Sequence, residues 1–177
     1  MAKYRARSAL DSYLQQQRTT ARRRIIEPSG SRSARVHVAA VCYRLSDQHL
    51  EFLLVRTQSG RWTFPKGGVD DDPTFAAAAS REAYEEAGVR GRVEHRPFAS
   101  YLHRKARAPK TREMEVAAHL CKVVCVEPAL EPNRHPTWFT FQDAKKRVRE
   151  NRGDKYAAEL ERVLDQARRR IHQQARS

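Results

Sequence analysis

The period of the apolar residues changes along this chain, and each change marks an element. From Arg35 onward Val36, Val38, Ala40 and Cys42 alternate with other residues, the two-residue period of a half-buried strand. Leu50 to Val55 is a short apolar run behind the turn-like Ser46-Asp47-Gln48, so the two segments predict a hairpin. From Thr74 to Ala87 the spacing lengthens. Ala76, Ala79, Ala83 and Ala87 recur three and four residues apart, neither Gly nor Pro intervenes, and Gly88 follows. This predicts a helix with a small-residue stripe for close packing on a sheet and a glycine stop. Asp72-Pro73 ahead of it predicts an N-cap followed by Pro at the first helical position.

Gln58-Ser59-Gly60 predicts a loop, and Arg61-Trp62-Thr63-Phe64-Pro65 a short extended segment leading into Lys66-Gly67-Gly68. Beyond Gly88 the pattern predicts two strands, 92–102 and 113–126, separated by a basic loop from His103 to Arg112. A short strand follows over 138–141, then a helix start over 142–149. The last predicted helix runs from Asp154 to about Gln173, with Tyr156, Leu160, Val163 and Leu164 on one face. Strands with helices around a mixed sheet give an α+β fold, an α/β/α sandwich of layers.

Residues 1 to 34 depart from this patterning. They are rich in Arg, Gln, Ser and Ala, contain Arg22-Arg23-Arg24, and end near the linker-like Pro28-Ser29-Gly30-Ser31. We expect a basic N-terminal arm and linker over 1–34 and one domain over 35–177, including the C-terminal helix. The Arg-rich, Ser-containing, acid-poor start also resembles an organelle transit peptide. At 177 residues and 40% apolar content the chain can bury a real core. Its formal net charge of +14 predicts attraction to polyanions, with weak nucleic-acid or polyphosphate binding through the basic arms. Cys42, Cys121 and Cys125 are odd in number and show no zinc spacing, which points to reduced thiols in the cytoplasm. No apolar run approaches the ~20 residues of a membrane span, and no signal-peptide core is present, so a membrane is not an expected partner.

Against that positive background one acidic cluster stands out. Glu82, Glu85 and Glu86 fall at i, i+3 and i+4, which gathers three carboxylates on one side of the helix. Like charges at that spacing destabilise an isolated helix by about 0.2–0.5 kcal/mol per pair, so the cluster needs a reason. A solvated acidic face is the ordinary one. The Gly67-Gly68 turn upstream lets backbone carbonyls approach the same spot, however, and hard divalent cations take oxygen ligands of these kinds.

The spacing resembles the Nudix box, in which a Gly is followed after five residues by Glu, then after seven by Arg-Glu-apolar-x-Glu-Glu-x-Gly-apolar. Gly67, Arg81, Glu82, Ala83, Glu85, Glu86, Gly88 and Val89 fall in register. Pro73 stands where the first Glu belongs, with Asp72 just before it. The resemblance covers roughly residues 35–164 and implies the Nudix fold. Arg61-Trp62-Thr63-Phe64-Pro65-Lys66-Gly67-Gly68, the box itself and Trp138-Phe139-Thr140-Phe141-Gln142-Asp143-Ala144 resemble the diphosphoinositol polyphosphate phosphohydrolase branch, which also cleaves dinucleoside polyphosphates.

The resemblance implies a Mg2+-dependent pyrophosphohydrolase, with Mn2+ as an alternative ion, acting on a small anionic phosphoanhydride. Glu82, Glu85 and Glu86 would hold metal with the Gly67 carbonyl, and Arg81 would orient the carboxylates. The general base is open: a box carboxylate, or Glu113 or Glu115, which share one strand face. Arg61, Lys66, Arg104, Lys105 and Arg112 are the expected substrate-binding cations. Two other readings keep the fold: a Nudix hydrolase acting on nucleoside diphosphate derivatives or RNA 5' ends, and a non-catalytic polyanion-binding module.

Overall fold

The computed structural model describes residues 36–46, 49–107 and 110–176, without the side chains of 105–107 and 110–112. The expected arm over 1–34 and the turn residues Asp47 and Gln48 lie outside the described residues.

Strand β1 (His37–Ser46) is shared by two apolar layers. Val38, Ala40 and Cys42 join one buried cluster with Ala78, Ala79, Ala83 and Ala87 of helix α1 (Phe75–Ala87). Ala39, Val41 and Tyr43 join a second cluster, covered by α2 (Phe141–Arg149) and α3 (Asp154–Gln174). The alternation follows from successive strand side chains pointing to opposite faces, and it produces the expected sandwich. Leu160, Val163 and Leu164 are buried on α3, each contributing about 1.5–3 kcal/mol of apolar burial. The alanines of α1 contribute less area but let that helix lie close to β1.

On either side of β1 lie β2 (His49–Arg56), antiparallel, and β7 (Lys110–Val126), parallel. With β3 (Trp62–Thr63) and β5 (Val89–Val93) at its ends the sheet runs β3-β2-β1-β7-β5. Three further strands pair with this row: β4 (Lys66–Gly68) with β1, β6 (Ala99–Arg107) with β7, and β8 (Thr137–Thr140) with β2. The sheet is therefore mixed, and the fold class is α+β.

Two expectations need correction. The segment 92–102 is not one strand: β5 ends at Val93 and β6 begins at Ala99, with Pro97 in the bend between them. Nor is His103 to Arg112 a loop. β6 and β7 pair antiparallel from Ala99 opposite Ala118 to Arg107 opposite Lys110, leaving Ala108 and Pro109 outside the described residues. Arg104 lies opposite Glu113 in that register, and such opposite charges support strand pairing.

The start of α1 also differs. Thr74, extended at φ −150°, is the cap, and its hydroxyl accepts the Ala77 N–H at 3.1 Å. Asp72 is thereby released from capping. At the other end Gly88 takes φ 65° and returns its N–H to the Tyr84 carbonyl. A Cβ on Gly88 would also lie 1.9 Å from the Glu127 carbonyl oxygen, so both conformation and space call for glycine.

Candidate active site

Two supports anchored on β1 bring the box together. Helix α1 rests on it through the alanine stripe, and β4 pairs with it directly, Val38 opposite Gly67 and Ala39 opposite Lys66. The Lys66-Gly67 backbone is consequently pressed against the acidic side of α1. The Lys66 N–H donates to Glu86 Oε2 at 3.2 Å. A Cβ on Gly67 would fall 2.2 Å from Glu82 Oε1, so only glycine permits that approach.

Glu82 and Glu86 are buried and Glu85 is half-buried. Burial raises the Glu82 carboxyl above the usual range against the opposing pull of Arg81, and Glu85 adds repulsion. Burial likewise pushes Glu86 up to about 7, although Lys66 and Arg134 act to lower it. These are buried acids in need of positive partners.

Arg81 supplies much of that charge. Its Nη1 donates to Glu82 Oε1 at 2.8 Å and to Glu85 Oε2 at 3.0 Å. Its Nη2 donates to the Gly68 carbonyl and to Asp72 Oδ2, each at 3.0 Å, and its Nε donates to Asp72 Oδ2 at 3.1 Å. The hydrogen bonds with Asp72 come first among the causes that raise the Arg81 pKa.

Glu86 is paired from another quarter. Arg134, on the 3-10 turn Pro132–Arg134, places Nη2 2.5 Å from Glu86 Oε1 and Nε 2.7 Å from Glu131 Oε2. The Glu131 N–H donates to the Glu85 carbonyl at 2.9 Å, tying this turn to the end of α1.

A group of cations adjoins the acids. Lys66 is lowered to about 8, chiefly by burial and then by Arg134 and Arg152, with Glu86 opposing. Arg152, in the connection between α2 and α3, donates to the Trp62 carbonyl at 2.6 Å and to the Val148 carbonyl at 2.9 Å. His103 is lowered to about 3 by burial, with Lys66, Arg152 and Arg61 adding to the effect. The buried Tyr101 hydroxyl lies within electrostatic reach of Arg152 and Glu86.

The structure thus unites Lys66, Gly67, Arg81, Glu82, Glu85 and Glu86, and it places Arg61 within electrostatic reach of Arg152 and His103. Arg104 acts instead on Glu113, which is held by Lys155 at 2.8 Å and by the Tyr156 hydroxyl of α3. Glu115 is exposed on the same strand. Lys105 and Arg112 lie outside the described side chains.

Sequence reasoning missed Asp72 as the Arg81 partner, and it missed Arg134, Arg152 and His103. Asp72 could have been found from Thr74, which is itself a good N-cap residue. The others sit in aperiodic connections or on a strand beside many similar cations, where no spacing distinguishes them.

Among the described residues no three acidic, imidazole or thiol side chains close into a ready ligand cluster. The available donors are box carboxylates beside a backbone turn that approaches Glu82 within the space of a missing Cβ. Oxygen donors of this kind suit a hard divalent ion that keeps waters and shares substrate phosphates.

The NUDIX domain model matches residues 35–160. Nudix hydrolase 12, mitochondrial, of Arabidopsis thaliana is 35% identical over 130 residues, covering 68% of this chain and 63% of that protein. Diphosphoinositol polyphosphate phosphohydrolase 3-alpha of Homo sapiens is 29% identical over 126 residues, covering 70% of this chain and 73% of that protein. Among solved structures, the C. elegans Ap4A hydrolase matches with a TM-score of 0.56 at 22% identity, covering 78% of this chain and 99% of that one, a likeness of fold.

Proposed function

This chain belongs to the NUDIX family, and we propose that it is a Mg2+-dependent pyrophosphohydrolase, able to use Mn2+, that cleaves a phosphoanhydride bond in a highly anionic substrate. The substrate class is a diphosphoinositol polyphosphate or a dinucleoside polyphosphate. The observation that carries this reading is the packing of Glu82 and Glu86 against the Lys66-Gly67 turn, with Arg81 and Arg134 on the carboxylates.

Glu82, Glu85, Glu86 and the Gly67 carbonyl would hold the ion. Bound there, it would neutralise phosphate oxygens and acidify a water. The chain's own residues do the rest. Arg81 orients Glu82 and Glu85, and Arg134 balances Glu86. Lys66, Arg61 and Arg152 offer positive charge to the phosphates beyond the scissile bond. Phosphoryl transfer depends mainly on such positioning and electrostatic stabilisation. A box carboxylate is the preferred general base, because Glu113 is already engaged by Lys155 and Tyr156.

Three cysteines, an odd number without zinc spacing, support reduced thiols, and we propose the cytoplasm. No described helix is long and apolar enough to cross a membrane. Residues 1–34 are proposed as an arm that binds polyanions weakly. The deciding experiment measures phosphate release with and without Mg2+ on diphosphoinositol polyphosphates, dinucleoside polyphosphates and ADP-ribose. Metal-dependent turnover is the expected result. Substrate binding without turnover on any member would instead favour a non-catalytic module.

A further inference from the structure

We infer that Asp72 is a positioning residue for the metal-binding carboxylates, supplying through Arg81 the negative charge that Pro73 removes from the box. This rests on the metal reading above. Three observations lead to it. First, Thr74 caps α1, so the Asp72 side chain is not spent on the helix N–H groups. Second, that side chain reaches Arg81 at Nε and Nη2, 3.1 and 3.0 Å away, while Nη1 reaches Glu82 and Glu85. One edge of the guanidinium is fixed on Asp72 and the Gly68 carbonyl, and the far side presents donors to the two box acids. Third, the Asp72 side chain is 14% exposed against 70% for Asp70, whose carboxylate lies 3.9 Å from the same Arg81. The less exposed carboxylate is less screened and better placed to hold the arginine.

The planar fork makes this relay directional. Arg81 is the longest and most flexible member of the group, and two donors locked on Asp72 leave it little rotamer freedom. Glu82 and Glu85 then meet a fixed donor pair. Without the Asp72 charge Arg81 could turn wholly onto Glu82 and Glu85 as a competing cation. A carboxylate one residue before the box position thus reaches Arg81 in this chain, where Pro73 carries no charge.

The test compares wild-type protein with Asp72→Asn, Asp72→Glu and the double variant Asp72→Asn/Pro73→Glu, which moves the carboxylate into box register. Mn2+ affinity of the substrate-free protein is measured by calorimetry, beside kcat, KM and Tm. Partners of metal ligands typically change affinity or activity by roughly 10–100-fold when removed. Asp72 reaches those ligands only through Arg81, so Asp72→Asn should weaken Mn2+ toward the lower end of that range, about tenfold, and lower kcat, with a smaller change in KM. Asp72→Glu, or the relocated carboxylate in the double variant, should recover most of the loss. Asp72→Asn with wild-type Mn2+ affinity and kcat would overturn the inference. So would a loss that neither carboxylate variant recovers while both regain wild-type Tm, since Asp72 would then serve stability alone. Wild-type protein that binds no divalent ion would overturn the metal reading itself, a result distinguishable from either.

Discussion

The Arg134 guanidinium lies 2.5 Å from the Glu86 carboxylate, joining the turn before β8 to the acidic face of α1. The Glu86 side chain is 2% exposed and that of Arg134 23% exposed. Breaking a buried pair by removing one partner costs on the order of 3–5 kcal/mol, and the partial exposure of Arg134 places this pair toward the lower end. Arg134→Met should therefore lower Tm in metal-free buffer. A divalent ion can supply the missing charge at Glu86, so Mn2+ should raise Tm more in the variant than in wild type. Differential scanning fluorimetry across a Mn2+ series checks both parts, and an equal Mn2+ shift in the two proteins would count against a shared carboxylate.

Glu85→Gln and Glu86→Gln should each cut kcat by roughly 10²-fold or more, in the range of losses that follow removal of electrostatic stabilisation. Their metal-free stabilities should differ. Glu85 is half-buried and bonds Arg81, which keeps Asp72 and Glu82 as partners, so its variant should hold Tm. Glu86→Gln relieves a buried charge but takes the partner from Arg134, which retains Glu131. Its Tm should move by only a few degrees. Near-normal Mg2+-dependent turnover in both variants would remove the metal-site assignment.

Gly67→Ala tests the approach of the turn to Glu82. Its new methyl would meet the carboxylate at 2.2 Å, forcing either the turn or the acid to move. Turnover should fall by orders of magnitude, since displacements of about 1 Å can cost roughly 10²-fold. The fold should persist by circular dichroism, because β4 contributes a short pairing to an extensive sheet. Unchanged kcat would mean that Glu82 does not need this position.

The layers and the box were legible in the sequence because they have periods. Val38, Ala40 and Cys42 announce one face of β1, and the alanines announce the face of α1 that meets it. Helical spacing puts Glu82, Glu85 and Glu86 on one side of α1, and the resemblance to the box is what singled them out as a site. The remainder depends on tertiary placement. Asp72 and Thr74 are both competent caps, and the choice between them decides whether Arg81 gains Asp72 as a carboxylate partner beside Glu82 and Glu85. The cations at Lys105 and Arg112 drew notice as a run, whereas Arg134 and Arg152 are brought to the site by connections without any repeat. His103 looks like any strand histidine until Lys66, Arg61 and Arg152 are seen to surround it electrostatically.

That histidine makes stability depend on pH with a definite sign. In the unfolded chain it titrates near 6.5, and in the fold burial and neighbouring cations lower it to about 3. Below about pH 6.5 the unfolded state therefore binds the extra proton, so the His103 contribution falls as pH drops toward 3. Glu86, raised to about 7, and Glu82, also raised, take up protons first in the fold and act the opposite way. The His103 slope approaches about 1.4 kcal/mol per pH unit for one full proton. His119, also lowered, acts in the same direction as His103. Urea midpoints at pH 7.5, 6 and 5 should show His103→Gln gaining stability relative to wild type as pH falls, because the carboxyls act equally in both proteins. Parallel profiles would show that His103 takes up its proton without cost in the folded state.

Substrate preference follows from setting the acidic face of α1 against the cations beside it. Glu82, Glu85 and Glu86 repel phosphate until positive charge covers them, so substrate should be accepted together with metal. Beyond that point Lys66, Arg61 and Arg152 gather positive charge; burial is the main cause that lowers Lys66, Arg152 and His103, and neighbouring cations add to it. A substrate whose phosphates extend past the cleaved bond gains from that charge. ADP-ribose, with its short charged segment, gains less. Diphosphoinositol polyphosphates or dinucleoside polyphosphates should thus exceed ADP-ribose in kcat/KM, and the preference should shrink as salt rises and the Debye length falls from about 10 Å at 0.1 M toward 3 Å at 1 M. Arg61→Gln should reduce the preference through the site. Arg104→Glu with Lys105→Glu should reduce it only if the β6–β7 hairpin also meets substrate, and comparison of the two variants locates the phosphates. Equal efficiency across the panel at low salt, or a clear advantage for ADP-ribose, would remove the case for polyphosphate substrates and leave the hydrolase assignment standing without them.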